Sequence, residues 1–198
     1  KVLAPNPGVQ FSGEVHLDER MLQIDGEPGC QTHAWGRRYP AAWGWAHCNA
    51  FREDPTAVLE VHSQRLGRGR ISAPALTTLS LYLGNEVYQF REPWMAPLIR
   101  SDWHAGRVAL HALGTRIKIE GELRCRPGDL VRSTFNDPDG KPFFCHNTEV
   151  AEARVTIWTR RGLLDRFRMW GHLTSRGGAH FEYGGPAPDS NVTWIQRE

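Results

Sequence analysis

Alternating apolar and polar residues recur in short stretches along the chain, and each stretch predicts a β-strand. The cleanest alternation covers residues 116–125, where Ile117, Ile119, Leu123 and Cys125 share one face and five charged side chains share the other. A register slip of one residue would bury those charges, so the odd-numbered residues are expected to face a core. Further candidate strands cover residues 11–17, 21–24, 43–51, 57–61, 76–83, 87–90, 98–103, 108–113, 146–159, 163–174, 179–183 and 192–195.

Turn-forming residues separate these stretches. The 20 glycines and 13 prolines are spread along the chain, and pairs such as Asp25-Gly26 and Gly84-Asn85 mark turns. The pattern predicts an all-β fold of roughly eight to ten antiparallel strands. A small barrel is favoured, because closing the sheet removes its edges. Residues 1–10, with the sequence Pro5-Asn6-Pro7-Gly8, are expected to be a linker-like lead-in, and residues 11–198 a single domain.

The charge balance excludes some classes of partner. The chain has 24 Lys and Arg against 22 Asp and Glu, a formal net charge of +2, so no large one-sided field is expected for nucleic acid or an anionic membrane. No apolar run approaches the ~20 residues of a membrane span and no signal segment opens the chain, which favours a cytoplasmic protein. Four cysteines without a C-x-x-C pair are expected to be reduced. Because the chain begins at Lys1 rather than Met, the partners considered include an upstream N-terminal domain as well as a second copy of the chain.

The candidate strand at 43–51 divides its residues sharply between two faces. One face carries small side chains, which allow close packing. The other combines large aromatic rings with the polar side chains of His47 and Asn49, which suits a lipophilic pocket with a few orienting hydrogen bonds. The alternative is a strand whose tryptophans fill a barrel core and whose polar tips tie down neighbouring backbone. Both interpretations stay open for the strand, and the second is favoured for its histidine. The large face carries Trp43, Trp45, His47, Asn49 and Phe51.

The order of motifs around this strand resembles the tocopherol cyclase family. The resemblance includes Trp35-Gly36, Tyr39-Pro40, Trp43-x-Trp45, Cys48-Asn49 and Phe51, and it continues through the strand of Tyr88, the segment Thr148-Glu149-Val150 and the pair Ile157-Trp158. It covers roughly residues 12–160 and would make this chain the C-terminal half of a longer protein. His47 stands where the plant members have an amide side chain.

The resemblance implies a lipocalin-like (calycin) barrel, one of a pair, in a wider group that includes carotenoid hydratase-like and Diels–Alderase-like proteins. Those proteins are cofactor-free catalysts that act on lipophilic prenyl or polyketide substrates. In the tocopherol cyclase reaction a prenyl double bond is protonated and a phenol oxygen closes a ring. The resemblance and the strand pattern together nominate a lipophilic small molecule as ligand and the substrate-binding residues Trp35, Trp43, Trp45, His47, Asn49, Phe51 and Tyr88.

Glu149 is the candidate acid for such chemistry. By strand parity it shares a face with Ala151, Ala153, Val155 and Ile157. Apolar surroundings disfavour a carboxylate, so the pKa of Glu149 is expected to rise toward a value useful for general acid catalysis. The alternative is a Glu paired with one of the chain's 21 arginines or bonded to backbone, which would hold its pKa down.

Other enzyme classes lack their sequence signals. Neighbouring residues on a strand point to opposite faces, so each Cys/His doublet offers one metal ligand, and the nine histidines show no H-x-H or H-E-x-x-H spacing. We therefore expect no metal and no cofactor. No phosphate-binding glycine loop or nucleophile elbow is present either. The basic loop at 64–70 is read as a solvated turn rather than an anion site.

Three functions remain as hypotheses. The first is a cofactor-free cyclase or isomerase for a prenylated quinol, terpenoid or polyketide, with Glu149 as acid and the tryptophans stabilising positive charge. The second is a non-catalytic barrel that binds such a ligand. The third is a structural half-domain whose barrel is filled by its own side chains.

Overall fold

The computed structural model describes residues 2–65, 67–68, 71–72 and 74–192. The chain is almost entirely β-structure, with 67% of residues in strands and 5% in helices, which confirms the expected all-β class. Contacts group it into two compact units, Lys1–Gly36 and Arg37–Glu198. Among the described residues, no helix has the length and apolar character needed to cross a membrane.

The first unit is a long β-hairpin. Strands β1 (Val2–Leu17) and β2 (Arg20–Ala34) pair antiparallel around a turn in which Asp18 has a φ of 53°. Residues 2–10, expected as a linker-like lead-in, are therefore strand. The prolines are tolerated because a two-stranded ribbon has only edge strands, and register shifts on both sides of Asn6 absorb the lost donors. The single domain over 11–198 stays a prediction.

The second unit contains the remaining strands. The two strands expected at 163–174 and 179–183 are one strand that begins at Arg168, and residues 163–167 form a turn and loop before it. Two short 3₁₀ helices cover Pro93–Leu98 and Pro127–Asp129. The strands are β3 (Ala42–Cys48), β4 (Val58–Arg65), β5 (Gly67–Arg68), β6 (Ile71–Ser72), β7 (Leu76–Leu83), β8 (Glu86–Phe90), β9 (Ile99–His104), β10 (Arg107–Leu113), β11 (Ile117–Arg124), β12 (Val131–Asn136), β13 (Pro142–Thr159) and β14 (Arg168–Gly185).

Nine of these strands form a nearly closed antiparallel barrel, which confirms the lipocalin-like architecture. Their order is β8-β7-β4-β3-β14-β13-β11-β10-β9, and β12 pairs with the first part of β13. The seam lies between β7 and β9. There the Thr77 hydroxyl is 2.8 Å from the Ser101 hydroxyl and donates to the Ser63 hydroxyl at 3.1 Å. Side-chain hydrogen bonds thus link the two strands.

The barrel interior is packed with apolar side chains from all nine strands. Ile117, Ile119 and Leu123 are at most 3% exposed and belong to this core, which confirms the predicted orientation of β11. These side chains make the interior an apolar core. Two expectations lie partly outside the described residues: the closing strand at 192–195 beyond residue 192, and the basic loop at 64–70 at residues 66, 69 and 70.

Candidate functional site

Strand β3 turns its small side chains inward and its large ones outward. Ala46 and Cys48 are fully buried in the core, and the indole of Trp103 covers Gly44 so closely that an added Cβ would lie 2.5–2.8 Å from its ring. Trp43 and Trp45 share the opposite face, as predicted. That face is the outside of the barrel, so any pocket that Trp43 and Trp45 line lies outside the apolar core. Large rings could not be accommodated inward because Trp103 and the aliphatic core already occupy that space.

Three nitrogen donors converge on the carboxylate of Glu60 on this outer face. Pairing of β3 with β4 sets His47 opposite Glu60, and the Nδ1 of His47 lies 2.6 Å from its Oε2. The Nε2 of His62 lies 2.7 Å from Oε1, and the indole N–H of Trp45 donates to the same oxygen at 2.9 Å. Glu60 is only 5% exposed. Burial raises the pKa of its carboxyl, but the hydrogen bonds from His47 and His62 outweigh burial and bring the pKa to about 2.

A second carboxylate–histidine pair lies on the neighbouring strands. Pairing of β14 with β3 sets His180 opposite His47, and the Nδ1 of His180 lies 2.8 Å from Oε1 of Glu149. The ring of Trp45 lies 4.4 Å from the His180 ring, measured between centroids. The hydrogen bond from His180 lowers the pKa of Glu149. The site therefore consists of two carboxylate–histidine pairs beside one indole.

Glu149 is not buried, which corrects the sequence prediction. Its side chain is 74% exposed on the outer face, and its pKa is lowered rather than raised. The reason is a β-bulge: the register between β13 and β14 shifts between Thr148 and Ala151. Thr148 and Ala151 both face inward at 2% and 0% exposure, so the parity that holds from Ala151 onward does not extend back to Glu149.

The Nε2 atoms of His47 and His180 are buried and, among the described residues, have no hydrogen-bond partner. If the Nδ1 of His47 donates to Glu60, its Nε2 carries a lone pair in the neutral ring and a proton in the imidazolium. The same holds for His180 with Glu149. Each carboxylate fixes ring orientation and tautomer, which leaves Nε2 available to a reacting group.

Aromatic rings extend the site beside the two pairs. Trp43 stacks on Tyr39 at 5.6 Å and on Phe143 at 6.1 Å between centroids, and Tyr39 also lies 6.0 Å from Phe135. The Trp43 indole donates to Glu182 at 3.2 Å. These rings form an aromatic platform (Tyr39, Trp43, Phe135 and Phe143) that is only partly covered, because Tyr39 is 37% and Phe135 41% exposed.

Two other nominated residues, Phe51 and Tyr88, lie outside this cluster of side chains. Phe51 is 3% exposed in the core, because β3 ends at Cys48 and the alternation ends with it. Tyr88 lies on β8, is half-buried and donates to Glu86; burial raises its pKa to about 12. Trp35 follows β2 in the hairpin unit and stacks on His33. Asn49 is half-buried just after β3.

Sequence reasoning missed Glu60, His62, His180 and Glu182. A signal was available: Glu60 stands between Leu59 and Val61 in an apolar strand, where an unpartnered carboxylate would be costly. The strand register that brings these residues to His47 could not be read from the sequence. Among the described residues, no group of three or more His, Cys, Asp or Glu side chains could hold a metal ion.

Comparison with known proteins gives one family and two relatives. A family model described as tocopherol cyclase-like matches residues 8–185. Two uncharacterized proteins of Mycobacterium tuberculosis, from strains CDC 1551 and H37Rv, are each 23% identical over 168 residues, which is 78% of this chain and 46% of the relative. The chain thus spans about half the length of these curated relatives. No solved structure matches significantly.

Proposed function

The chain belongs to the tocopherol cyclase-like family, and on this premise we propose that it is a cofactor-free cyclase or isomerase that acts on a lipophilic substrate by proton transfer at His47 and His180. The substrate class follows the family: a prenylated quinol, a terpenoid or a polyketide. Glu60 and Glu149 are positioning residues in this proposal, and the acid role first considered for Glu149 passes to the imidazole that it orients.

One observation carries the proposal. Two histidines that are direct cross-strand neighbours each bind a carboxylate through Nδ1, and each keeps a buried Nε2 that no described residue occupies. Directly opposed residues have Cβ atoms about 5 Å apart, so both rings can reach one small substrate group. Buried polar atoms are normally hydrogen-bonded, and an exception calls for an explanation. A substrate that exchanges protons with both rings supplies one.

The reaction balances with two such groups. One histidine, as imidazolium, gives its Nε2 proton to a carbon of the prenyl double bond. The phenol oxygen forms a bond to the other alkene carbon, and its proton passes to the neutral Nε2 of the second histidine. An imidazolium is a weak acid toward an alkene, so C–O bond formation must accompany proton transfer. No electrons are gained or lost, and proton exchange with water resets the pair.

The surroundings support a lipophilic substrate. The Trp45 ring lies beside His180, where its π-face would stabilise positive charge developing on the alkene. The aromatic platform next to it offers apolar contact area for a ring or chain. The ionised Glu60 adds a fixed negative charge close to His47.

Cyclisation of a prenylated methylhydroquinone in D₂O tests the proposal. The expected chroman product carries one deuterium on the carbon that was protonated. His47→Gln and His180→Gln should each lower the rate by about 10²- to 10⁴-fold, the usual contribution of general acid or base catalysis. Glu149→Gln should shift the pH–rate profile while leaving product identity unchanged.

His104→Gln is the matched control. His104 lies on β9, 3.1 Å from Asp102, in an exposed histidine–carboxylate pair outside the site. It should leave the rate unchanged. Parent-like turnover in both His47→Gln and His180→Gln would contradict the proposal.

A structural half-domain is the second candidate, and the apolar core to which all nine barrel strands contribute supports it. In that case the two carboxylate–histidine pairs only stabilise the sheet. His47→Gln would then lower the melting temperature, and no deuterated product would form with the parent chain.

A further inference from the structure

The connection between β13 and β14 exposes four large apolar side chains. Leu163 is 67% exposed and Leu164 fully exposed at 102%, and both project from the loop. Met169 and Trp170, at the start of β14, are 64% and 48% exposed. Adjacent exposed leucines at a loop tip cost free energy in water, so this patch calls for a partner.

Arginines are numerous in and beside this loop. An open groove of about 1090 Å³ beside it is lined by five arginines and by Tyr88, Phe167 and Trp170. Two carboxylates also line the groove, Glu86 and Asp165, and both already accept hydrogen bonds. The local charge is therefore about +3 although the whole chain carries only +2. The arginines are Arg116, Arg160, Arg161, Arg166 and Arg168.

The loop is held in shape from within. Arg160 donates through Nε to the carbonyl of Thr115 at 2.6 Å and through Nη1 to the carbonyl of Leu163 at 2.8 Å, and its guanidinium lies 4.5 Å from the Phe167 ring centroid. The amide of Gly162 donates to Asp165 at 2.8 Å, which closes the turn under the leucines. Binding would therefore cost little ordering entropy.

We propose that this loop, residues 160–170, docks the protein onto an anionic lipid bilayer. Leu163 and Leu164 would enter the acyl region. Trp170 would lie at the headgroup level, which indole rings prefer, and the arginines would contact anionic headgroups. A protein partner would accept the leucines equally well, but a loop that carries both exposed leucines and several arginines complements a negatively charged apolar phase specifically. The inference is independent of the proposed catalysis.

Co-sedimentation of the full chain with vesicles tests this proposal. Binding is expected to phosphatidylcholine vesicles that contain phosphatidylglycerol, to be weaker to phosphatidylcholine alone, and to fall as salt is added. Leu163→Ser with Leu164→Ser should weaken binding by at least about tenfold. Arg161→Ala and Arg166→Ala should each weaken it about fivefold, and only on the anionic vesicles.

The matched control is Met21→Ser with Leu22→Ser. These side chains are 59% and 52% exposed and also adjacent, but they follow the acidic turn residues Asp18 and Glu19. This variant should bind vesicles like the parent, and unchanged melting curves should show that all variants fold. Parent-like vesicle binding by the leucine variant, or no binding by the parent, would overturn the proposal. Self-association that is lost in the leucine variant, without vesicle binding, would assign the patch to a protein interface instead.

Discussion

At the scale of single residues, Glu60 decides the electrostatics of the outer face. A carboxylate that is 5% exposed would ordinarily be protonated, because burial disfavours its charge. His47, His62 and Trp45 place three N–H donors around it, and the hydrogen bonds from His47 and His62 bring the pKa of Glu60 to about 2. Glu60 is therefore ionised at neutral pH, and it holds the Nδ1 of His47 at 2.6 Å.

This lowered pKa predicts how stability changes with acid. The folded pKa of about 2 lies below the ordinary 4.5, so the stabilisation is complete above about pH 4.5 and is lost as the pH falls toward 2. The loss should be on the order of 3 kcal/mol. Glu60→Gln should cost about 1–3 kcal/mol at neutral pH and remove most of this acid dependence.

Urea unfolding at a series of pH values measures the effect. The control is Glu120→Gln on β11, an exposed carboxylate 2.7 Å from Lys118, which should follow the parent curve. Parallel stability curves for the parent and Glu60→Gln between pH 4.5 and pH 2 would show that the buried network does not hold the charge of Glu60.

At the scale of elements, the seam between β7 and β9 depends on hydroxyl groups. Thr77 bridges Ser63 on β4 and Ser101 on β9, and Ser101 also accepts the indole N–H of Trp103 at 2.9 Å. Thr77→Val keeps the shape but leaves the buried Ser63 hydroxyl and the half-buried Ser101 hydroxyl without this partner. We expect a loss of about 1–3 kcal/mol in the free energy of unfolding and faster amide exchange in β7 and β9. Thr78→Val, on the opposite face of β7, should change the exchange of β9 little, and equal effects of the two variants would contradict this role of the seam.

Two strands show what sequence alone could and could not give. The alternation in β11 is uninterrupted, so parity correctly oriented Ile117, Ile119 and Leu123. In β13 the same reasoning failed at Glu149, because a bulge begins after Thr148 and no glycine or proline at 149–150 marks it. Parity also placed Trp43 and Trp45 on one face correctly, but which face is outside depends on what fills the barrel.

The pairing that builds the site was beyond the sequence for a related reason. His47 meets Glu60 across β4 and His180 across β14, at separations of 13 and 133 positions along the chain. Such pairings are set by turn geometry and by packing of the whole sheet. Local patterns could nominate His47 and Glu149, but they could not show that Glu60 binds His47 or that His180 binds Glu149.

At the scale of the whole molecule, the net charge does not describe how charge is distributed over the surface. The net charge of +2 describes the average, and it led to the expectation that the chain has no large one-sided field for nucleic acid or an anionic membrane. Four of the arginines that line the groove nonetheless lie within loop 160–170, which also carries the exposed Leu163 and Leu164. Net charge therefore limits general binding of polyanions without excluding a local basic surface.

The division into two units predicts that the barrel folds without the hairpin. Among the described residues, every buried core side chain comes from Ala46 or later, and all strands of the barrel follow residue 37. A two-stranded hairpin alone is only marginally stable, so it should add little to the cooperativity of unfolding.

Deletion of residues 1–36 should leave a single cooperative transition in circular dichroism and urea unfolding. Deletion of an equally long segment, residues 163–198, removes β14 from between β3 and β13 and should abolish that transition. A broad, non-cooperative transition after deletion of residues 1–36 would instead mean that the hairpin belongs to one domain with the barrel, as the sequence predicted for residues 11–198.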